Sequence, residues 1–330
     1  MQQILSVLVS VVGGLAVSFL IYLGLNWVVG RTTGRTHARL LPYVFLGPVL
    51  VLLVAFLLVP VAQTVWTSLQ VTDQYGLESF GGLANYTSLF TTPSFVDTLI
   101  NNLLWILVVP ALVVVIGLLV ATLADRLGAK REKAFKTIIF LPMSVSFIAA
   151  ASMWTFIYAY NAPGQPQVGL LNGIWTAVSG AGPVPWLQED GFRLNSFLLM
   201  AVVVWLNAGY AMVLLSAAIK AVPEETVEAA RIDGATERQA FFSVIAPQIR
   251  TTIVAVGITV LITVMKIFDI VFAMTNGQFT TNVLGVEFYT QFFSFNDPGK
   301  ASAVVVILIL AVVPVIVYQV RTYREQEALR

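Results

Sequence analysis

Seven apolar stretches alternate with polar connections along the chain: 4–29, 41–66, 98–124, 137–159, 194–219, 251–275 and 301–320. Each is long enough to cross a hydrocarbon layer of about 30 Å, which takes about 20 helical residues. The first stretch is expected to be a retained helix rather than a cleaved signal. It lacks a basic n-region, its apolar run is too long, and no small-x-small cleavage site follows. The pattern predicts an all-α integral membrane protein of about seven transmembrane helices. Its expected parts are an extra first helix with a basic linker (1–36), a second helix with an outer loop (37–96) and a core (97–330).

Charge orients these stretches. The connections after the first, third and fifth, together with the C-terminal tail, hold 15 of the 18 Lys and Arg residues. Arg193 and Lys300 fall on the opposite side, and Lys266 falls within a stretch. Basic residues concentrate on the cytoplasmic face, so the amino terminus is expected outside, and the carboxyl terminus and the 220–250 connection inside. Removing any one stretch would put basic clusters on both sides. Two outer connections are long, 67–97 and 161–193. The second carries Leu170, Leu171, Ile174, Trp175 and Val178 at helical spacing, which predicts a short helix lying on the outer leaflet. No repeat period suggests a solenoid.

Composition agrees and narrows the function. The chain is 58% hydrophobic and 11% charged, against about 25% charged for soluble domains. A formal charge of +1 gives no basis for nucleic-acid binding. There is no cysteine, which removes disulfides, thiolate metal sites and cysteine nucleophiles. The lone histidine, His37, sits among arginines without a second His or Cys and reads as a flank residue. The sequence has no GxxxxGK[ST] phosphate loop, no HExxH, no GxSxG and no zinc spacing. It is expected to be no enzyme and to bind no cofactor of its own.

The connection "VPEETVEAARIDGATERQAFFSVIAPQI" stands apart as a charged, helix-forming insert. Pro223 suits a first helical position, and Glu224 and Glu225 complement the helix dipole. Gly234 supplies the left-handed residue that ends a helix. Thr236 with Gln239 three residues on has capping-box spacing. The insert is thus predicted as a helix, a Gly break and a second helix running to Pro247. Val227, Ala230 and Ile232 are expected to pack, with Glu228 and Arg231 exposed.

Within it, "EAARIDGATERQAFFSVIAP" resembles the cytoplasmic loop motif of bacterial ABC-importer permeases, matching at Glu228, Ala229, Ala230, Asp233, Gly234, Ala235, Phe242, Ile245 and Pro247. Ala246 replaces the usual Leu, and Thr251 stands where a second Pro is common. "GLANYTSLF", "FKTIIFLPMSVS", "GLLN", "MKIFDIVFAMTNG" and "ASAVVVILI" are similar to segments of carbohydrate permeases of the maltose and glycerol-phosphate type. The likeness runs from about the second stretch to the end, and "MTNGQF" most resembles the α-glucoside branch. The resemblance implies the ABC-importer permease fold in a bacterial cytoplasmic membrane. It also implies a second homologous permease subunit, a dimer of separate ATP-binding subunits that hold ATP and Mg, and an extracytoplasmic sugar-binding protein. The insert would be the coupling helix, with Glu228 facing a basic residue of the ATPase and Gly234 making the turn.

Polar residues inside the apolar stretches are costly, about 2.5–3.5 kcal/mol for a central charge, and call for a reason. Lys266 and Asp269 are expected at i, i+3 on one helix face, where they can pair. One reading has them line a solute path; the other makes them a buried ion pair holding two permeases together. Trp205, Asn207 and Tyr210 in "VVWLNAGYAMV" form a second candidate. The resemblance places Trp205 and Tyr210 at the sugar pocket, where rings stack on sugars and Asn207 bonds hydroxyls; packing is the alternative. Gly209 can permit close helix approach. A rival function is a self-contained secondary carrier or channel with a Lys266/Asp269 relay, although no inverted halves are visible.

Overall fold

The computed structural model describes residues 2–72 and 78–328. By packing, the chain divides into two compact units, Met1–Leu69 and Gln70–Arg330. The boundaries expected at 36/37 and 96/97 follow the ends of spans and loops, and both fall inside a unit.

The first unit holds α1 (Gln2–Gly30), α2 (Gly34–Leu53) and α3 (Val59–Ser68), with a π-helical turn at Val54–Leu58 between the last two. Pro60 has no N–H, and in a regular helix its ring would strike the carbonyl four residues earlier. The wider turn just ahead relieves that crowding. Leu25 of α1 enters the notch left by Gly47 of α2, where a Cβ would lie 2.2 Å from its Cδ1. Tyr22 meets Phe45 at 6.0 Å between ring centroids. The Arg31 guanidinium lies 3.4 Å over the Trp27 ring, a cation–π contact between two long side chains.

The second unit opens with an antiparallel hairpin, β1 (Gln70–Thr72) and β2 (Glu78–Phe80), which pairs Gln70 with Phe80 and Thr72 with Glu78. The helices α4 (Ala84–Thr91), α5 (Pro93–Asp125), α6 (Ala129–Phe140), α7 (Phe147–Ile157), α8 (Leu170–Ser179) and α9 (Leu194–Lys220) follow. Next come α10 (Glu224–Ile232), α11 (Glu237–Ala240) and α12 (Ala246–Gln248), and then α13 (Arg250–Met265), α14 (Asp269–Thr275), α15 (Leu284–Tyr289) and α16 (Pro298–Ala328). The core lies where α5 and α9 pack along each other, with α13 on α5. Trp105, Val109 and Val113 of α5 are buried with Leu199, Val203 and Met212 of α9. Gly117 sets the closeness of that crossing, since a Cβ on it would sit 2.6 Å from the Ala211 Cβ. A smaller core joins Leu89, Phe95, Leu284, Ala303 and Val304.

Among the described residues, four helical runs are long and apolar enough to cross a membrane: Gly34–Ser68, Pro93–Asp125, Gly191–Lys220 and Pro298–Arg321. The number rises to six if each of two sharply bent helix pairs counts as one crossing. The stretch 4–29 is helical within α1, but part of it lies outside the residues whose side chains are described.

Two expected single helices are broken. The 137–159 stretch splits at Leu141–Ser144, a 3₁₀ turn, and the helices on either side meet at 103°. Pro142 cannot donate to the preceding turn, and Ser146 begins α7 afresh by accepting from the Ala149 N–H at 3.3 Å. The 251–275 stretch stops at Met265 and resumes at Asp269. Phe268 lies between at φ −141° and ψ −58°, outside the helical region. The backbone at this second break packs against α15. The Ile267 carbonyl comes so close to Gly285 that a Cβ there would be 2.8 Å from its oxygen. The expected short helix forms as α8, with Leu170, Ile174 and Val178 exposed. Its one buried residue, Asn172, exchanges two hydrogen bonds of 2.9 Å with the Val184 backbone.

Candidate functional site

The 221–250 loop is built almost wholly from local bonds. Glu224 and Glu225 open α10, next to its uncapped N–H groups. At its other end the Ala235 N–H donates to the Ala230 carbonyl at 2.9 Å, and the Gly234 N–H donates to that of Arg231 at 3.1 Å. These are the two bonds of a Schellman cap, with Gly234 at φ +88° supplying the left-handed residue it needs. Thr236 then starts α11 with a complete capping box. Its hydroxyl accepts from the Gln239 N–H at 3.4 Å, and the Gln239 side chain accepts from the Thr236 N–H at 2.8 Å. Across the break, Arg231 holds Glu237 with bonds of 2.9 and 3.3 Å. The Arg231 guanidinium lowers the Glu237 carboxyl below its ordinary value, and Glu237 in turn raises Arg231. The π-helical turn Phe241–Ile245 precedes Pro247, the same geometry that precedes Pro60. The chain then bends by 71° into α13.

This loop presents Glu228, Ala229, Asp233 and Gly234 to solvent, with Ala230 and Ala235 half-buried and Pro247 exposed. Ile232 departs from expectation: it is 85% exposed rather than packed. The Schellman turn takes Ala230 and Ala235 as its inner contact and leaves Ile232 outside. Phe242 is also exposed, with Arg238 6.0 Å over its ring. The result is a stiff platform with an acidic residue and two bare apolar side chains. A cleft of about 560 Å³ lies beside it, between Leu119 and Leu123 of α5 and Arg238 and Phe242.

The second candidate group is less coherent. Trp205 lines an apolar cavity of about 600 Å³ with Val108, Leu112, Ile139 and Pro142, and meets Trp154 of α7 edge-on at 5.7 Å. Asn207, two residues on, spends one amide hydrogen on the Val203 carbonyl at 2.8 Å. Tyr210 is half-buried. Neither Asn207 nor Tyr210 reaches the cavity wall that Trp205 forms. Gly209 does what its smallness suggests: a Cβ would lie 2.4 Å from the Ile139 carbonyl, so α6 and α9 touch at backbone level there.

Lys266 and Asp269 do not share a helix face. The break between α13 and α14 separates them, with Lys266 exposed and Asp269 half-buried in the first turn of α14. Among the described residues no ion pair joins them, so the expected pair is corrected: the i, i+3 argument needs a continuous helix, and the chain leaves helix between them.

A polar cluster that the sequence reading missed surrounds the 276–283 loop. Asn276, Gly277, Phe279 and Thr280 all take left-handed backbone conformations. Buried Asn101 of α5 donates to the Thr280 and Asn282 carbonyls at 2.6 and 2.9 Å, and Asn195 of α9 donates to that of Phe279 at 2.7 Å. Arg193 binds Asn101 Oδ1 at 2.7 Å and Asp97 at 2.6 Å. The available signal was Asn101, Asn102 and Asn195 standing at the ends of apolar stretches. Among the described residues no group of three His, Cys, Asp or Glu side chains is placed to hold a metal ion.

Comparison with known proteins accords with this geometry. The family model described as "Binding-protein-dependent transport system inner membrane component" matches residues 86–327. The chain is 40% identical over 335 aligned positions to the alpha-glucoside transport system permease protein AglF of Rhizobium meliloti (strain 1021), covering 97% of each. It is 41% identical over 286 positions to the osmoprotective compounds uptake permease protein GgtC of Synechocystis sp., covering 87% of this chain and all of that one. Among solved structures, a chain of a bacterial ABC transporter involved in the import of the acidic polysaccharide alginate superposes with a TM-score of 0.70. It is 20% identical and covered over 95% of its length, with 86% of this chain covered, which speaks for a shared fold.

Proposed function

The chain belongs to the binding-protein-dependent transport system inner membrane components, and from that premise we propose how it works. It is a multi-pass membrane permease subunit of an ABC importer for sugars, not an enzyme. The finer reading is an α-glucoside importer of the bacterial cytoplasmic membrane, supported by likeness to an alpha-glucoside permease over 97% of both chains. In it the chain crosses the membrane seven times, with its amino terminus outside and its carboxyl terminus in the cytoplasm. A second homologous permease completes the path. An extracytoplasmic sugar-binding protein delivers solute, and a separate pair of ATP-binding subunits supplies ATP and Mg. The self-contained carrier loses its footing, since the relatives are permease subunits and no Lys266–Asp269 pair forms.

The observation that carries this reading is the 221–250 platform. Its Schellman cap, capping box and ion pair fix the angle between two short helices from within the loop, and it leaves Ile232 and Phe242 exposed on a loop that also carries the exposed Glu228. Exposed apolar side chains on a rigid, charged mount fit docking against a partner. Trp205, Asn207, Tyr210, Lys266 and Asp269 would touch solute only where the second permease closes the site, since the cavity that the Trp205 ring borders is otherwise lined by apolar side chains. The test is a complex reconstituted in proteoliposomes, with ATP hydrolysis and uptake of labelled maltose or trehalose followed together. Glu228→Ala should assemble and hydrolyse ATP yet move at least about five-fold less sugar per ATP. Normal transport by that variant would refute the docking role.

A further inference from the structure

The root of the platform is tied to the helix bundle by charge. Lys220, the last residue of α9, stands just ahead of α10. Its ammonium lies 2.5 Å from Glu132 Oε1 on α6 and 3.3 Å from Asp125 Oδ1 at the end of α5. The same Glu132 oxygen accepts from Lys136 one turn along α6, and Lys136 also donates to the buried hydroxyl of Ser216 on α9. Two ammonium groups and two carboxylates from three helices thus meet in a charge-balanced cluster. Glu132 is at its centre and only 14% exposed.

Packing alone already positions α6 against α9, because Gly209 lets the Ile139 backbone in at van der Waals range. The cluster is not required to bring these helices together. What it adds is a second attachment point at the spot where the chain leaves α9 for α10. Two attachments make α6 follow any tilt of the end of α9, where one alone would let it pivot. At its far end α6 runs into the Leu141–Ser144 elbow and α7, whose Trp154 rests on Trp205. Ile138, Ile139 and Pro142, at that elbow, are walls of the cavity Trp205 borders.

We propose that Glu132 is a positioning residue that transmits displacement of the 221–250 platform through α6 to the elbow and the cavity beside Trp205. The proposal rests on the coupling reading of that platform. Glu132 touches neither solute nor nucleotide. It acts by keeping Lys220 and Lys136 on one anchor, so that the root of the platform and α6 move as one body.

The experiment uses the full complex in proteoliposomes, measuring sugar uptake and ATP hydrolysis together. Glu132→Gln keeps the side-chain shape and removes the charge. Sugar moved per ATP should fall about five-fold or more, with the KM for sugar unchanged. Glu132→Asp, shorter but still charged, should keep much of that ratio, which a residue needed only for bulk would not allow. Glu228→Ala runs alongside. If it uncouples while Glu132→Gln keeps a normal ratio, the transmission role is wrong and the docking role stands. Normal transport by Glu228→Ala removes both. Loss of assembly in both Glu132→Gln and Lys220→Gln would make the cluster a structural staple and overturn the proposal.

Discussion

The loop at 221–250 and the loop at 276–283 both place residues in left-handed backbone conformations, but different parts of the chain hold them there. In the first, Gly234 is fixed by bonds to residues within five positions, and its neighbours are capped by one another. In the second, local turn bonds surround Asn276 and Gly277, but the Phe279, Thr280 and Asn282 carbonyls are held from afar by Asn195 and Asn101, the latter 179 residues from the Thr280 carbonyl it binds. α9 connects the two, carrying Asn195 at one end and Lys220 at the other, about 40 Å apart at helical rise. A unit stabilised by its own residues keeps its shape while it moves, which suits a piece that must be pushed. Loops held by distant helices are rigid only as long as those helices keep their places, so the 276–283 loop reports on the packing of α5 against α9.

Three substitutions and conditions would break or sharpen this contrast. The largest effect is expected at Asn101→Ala. It strips the Thr280 and Asn282 carbonyls of their Asn101 partner in a buried setting, leaves Arg193 with Asp97 alone, and should cost about 3 kcal/mol. A lower melting temperature of the purified chain by fluorescence-detected size exclusion would show it, and an unchanged one would mean the clamp is incidental. Next comes a comparison of two glycines. Gly209→Ala forces a methyl into the Ile139 backbone and should cost about 1–3 kcal/mol of global stability. Gly234→Ala meets open space and should cost only about 1 kcal/mol of backbone strain. Hydrogen exchange should confine that loss to 221–250.

The smallest effect concerns pH. Arg231 lowers the Glu237 carboxyl from its ordinary 4.5, so the pair contributes above that value and is lost as pH falls through the lowered one. Exchange protection across the Gly234 break should therefore be flat from neutral pH down to about 5 and weaken only in stronger acid. A change between pH 8 and 6 would point to a different contact. Because both groups are exposed, salt should weaken the pair as well.

Legibility in the sequence followed the range of the forces involved. Gly234, the Thr236–Gln239 box and the acidic first turn of α10 were readable because each rests on residues a few positions apart. The likeness of that same loop to a known motif named the family that the comparisons then matched over residues 86–327. Gly209 was readable for a similar reason, since a missing side chain permits only a closer approach.

The breaks at Leu141–Ser144 and at Lys266–Phe268 were not readable from apolar length. Hydropathy records that a segment avoids water and says nothing of whether its axis stays straight. Pro142 marks the first break only in hindsight, because Pro110 and Pro314 sit inside helices that continue. The second carries no proline and shows only in the fold, where the Ile267 carbonyl meets Gly285 of another helix, and with it went the expected pairing of Lys266 with Asp269. The meeting of Glu132, Lys136, Lys220, Asp125 and Ser216, and of Arg193 with Asp97 and Asn101, likewise belongs to tertiary structure. The sequence by itself determined that the chain is a membrane protein with one self-capped, charged loop, since burial of apolar length and local capping are properties of short segments. Only the folded chain decided which polar side chains meet, because a partner 80 or 179 residues away is chosen by how the helices pack.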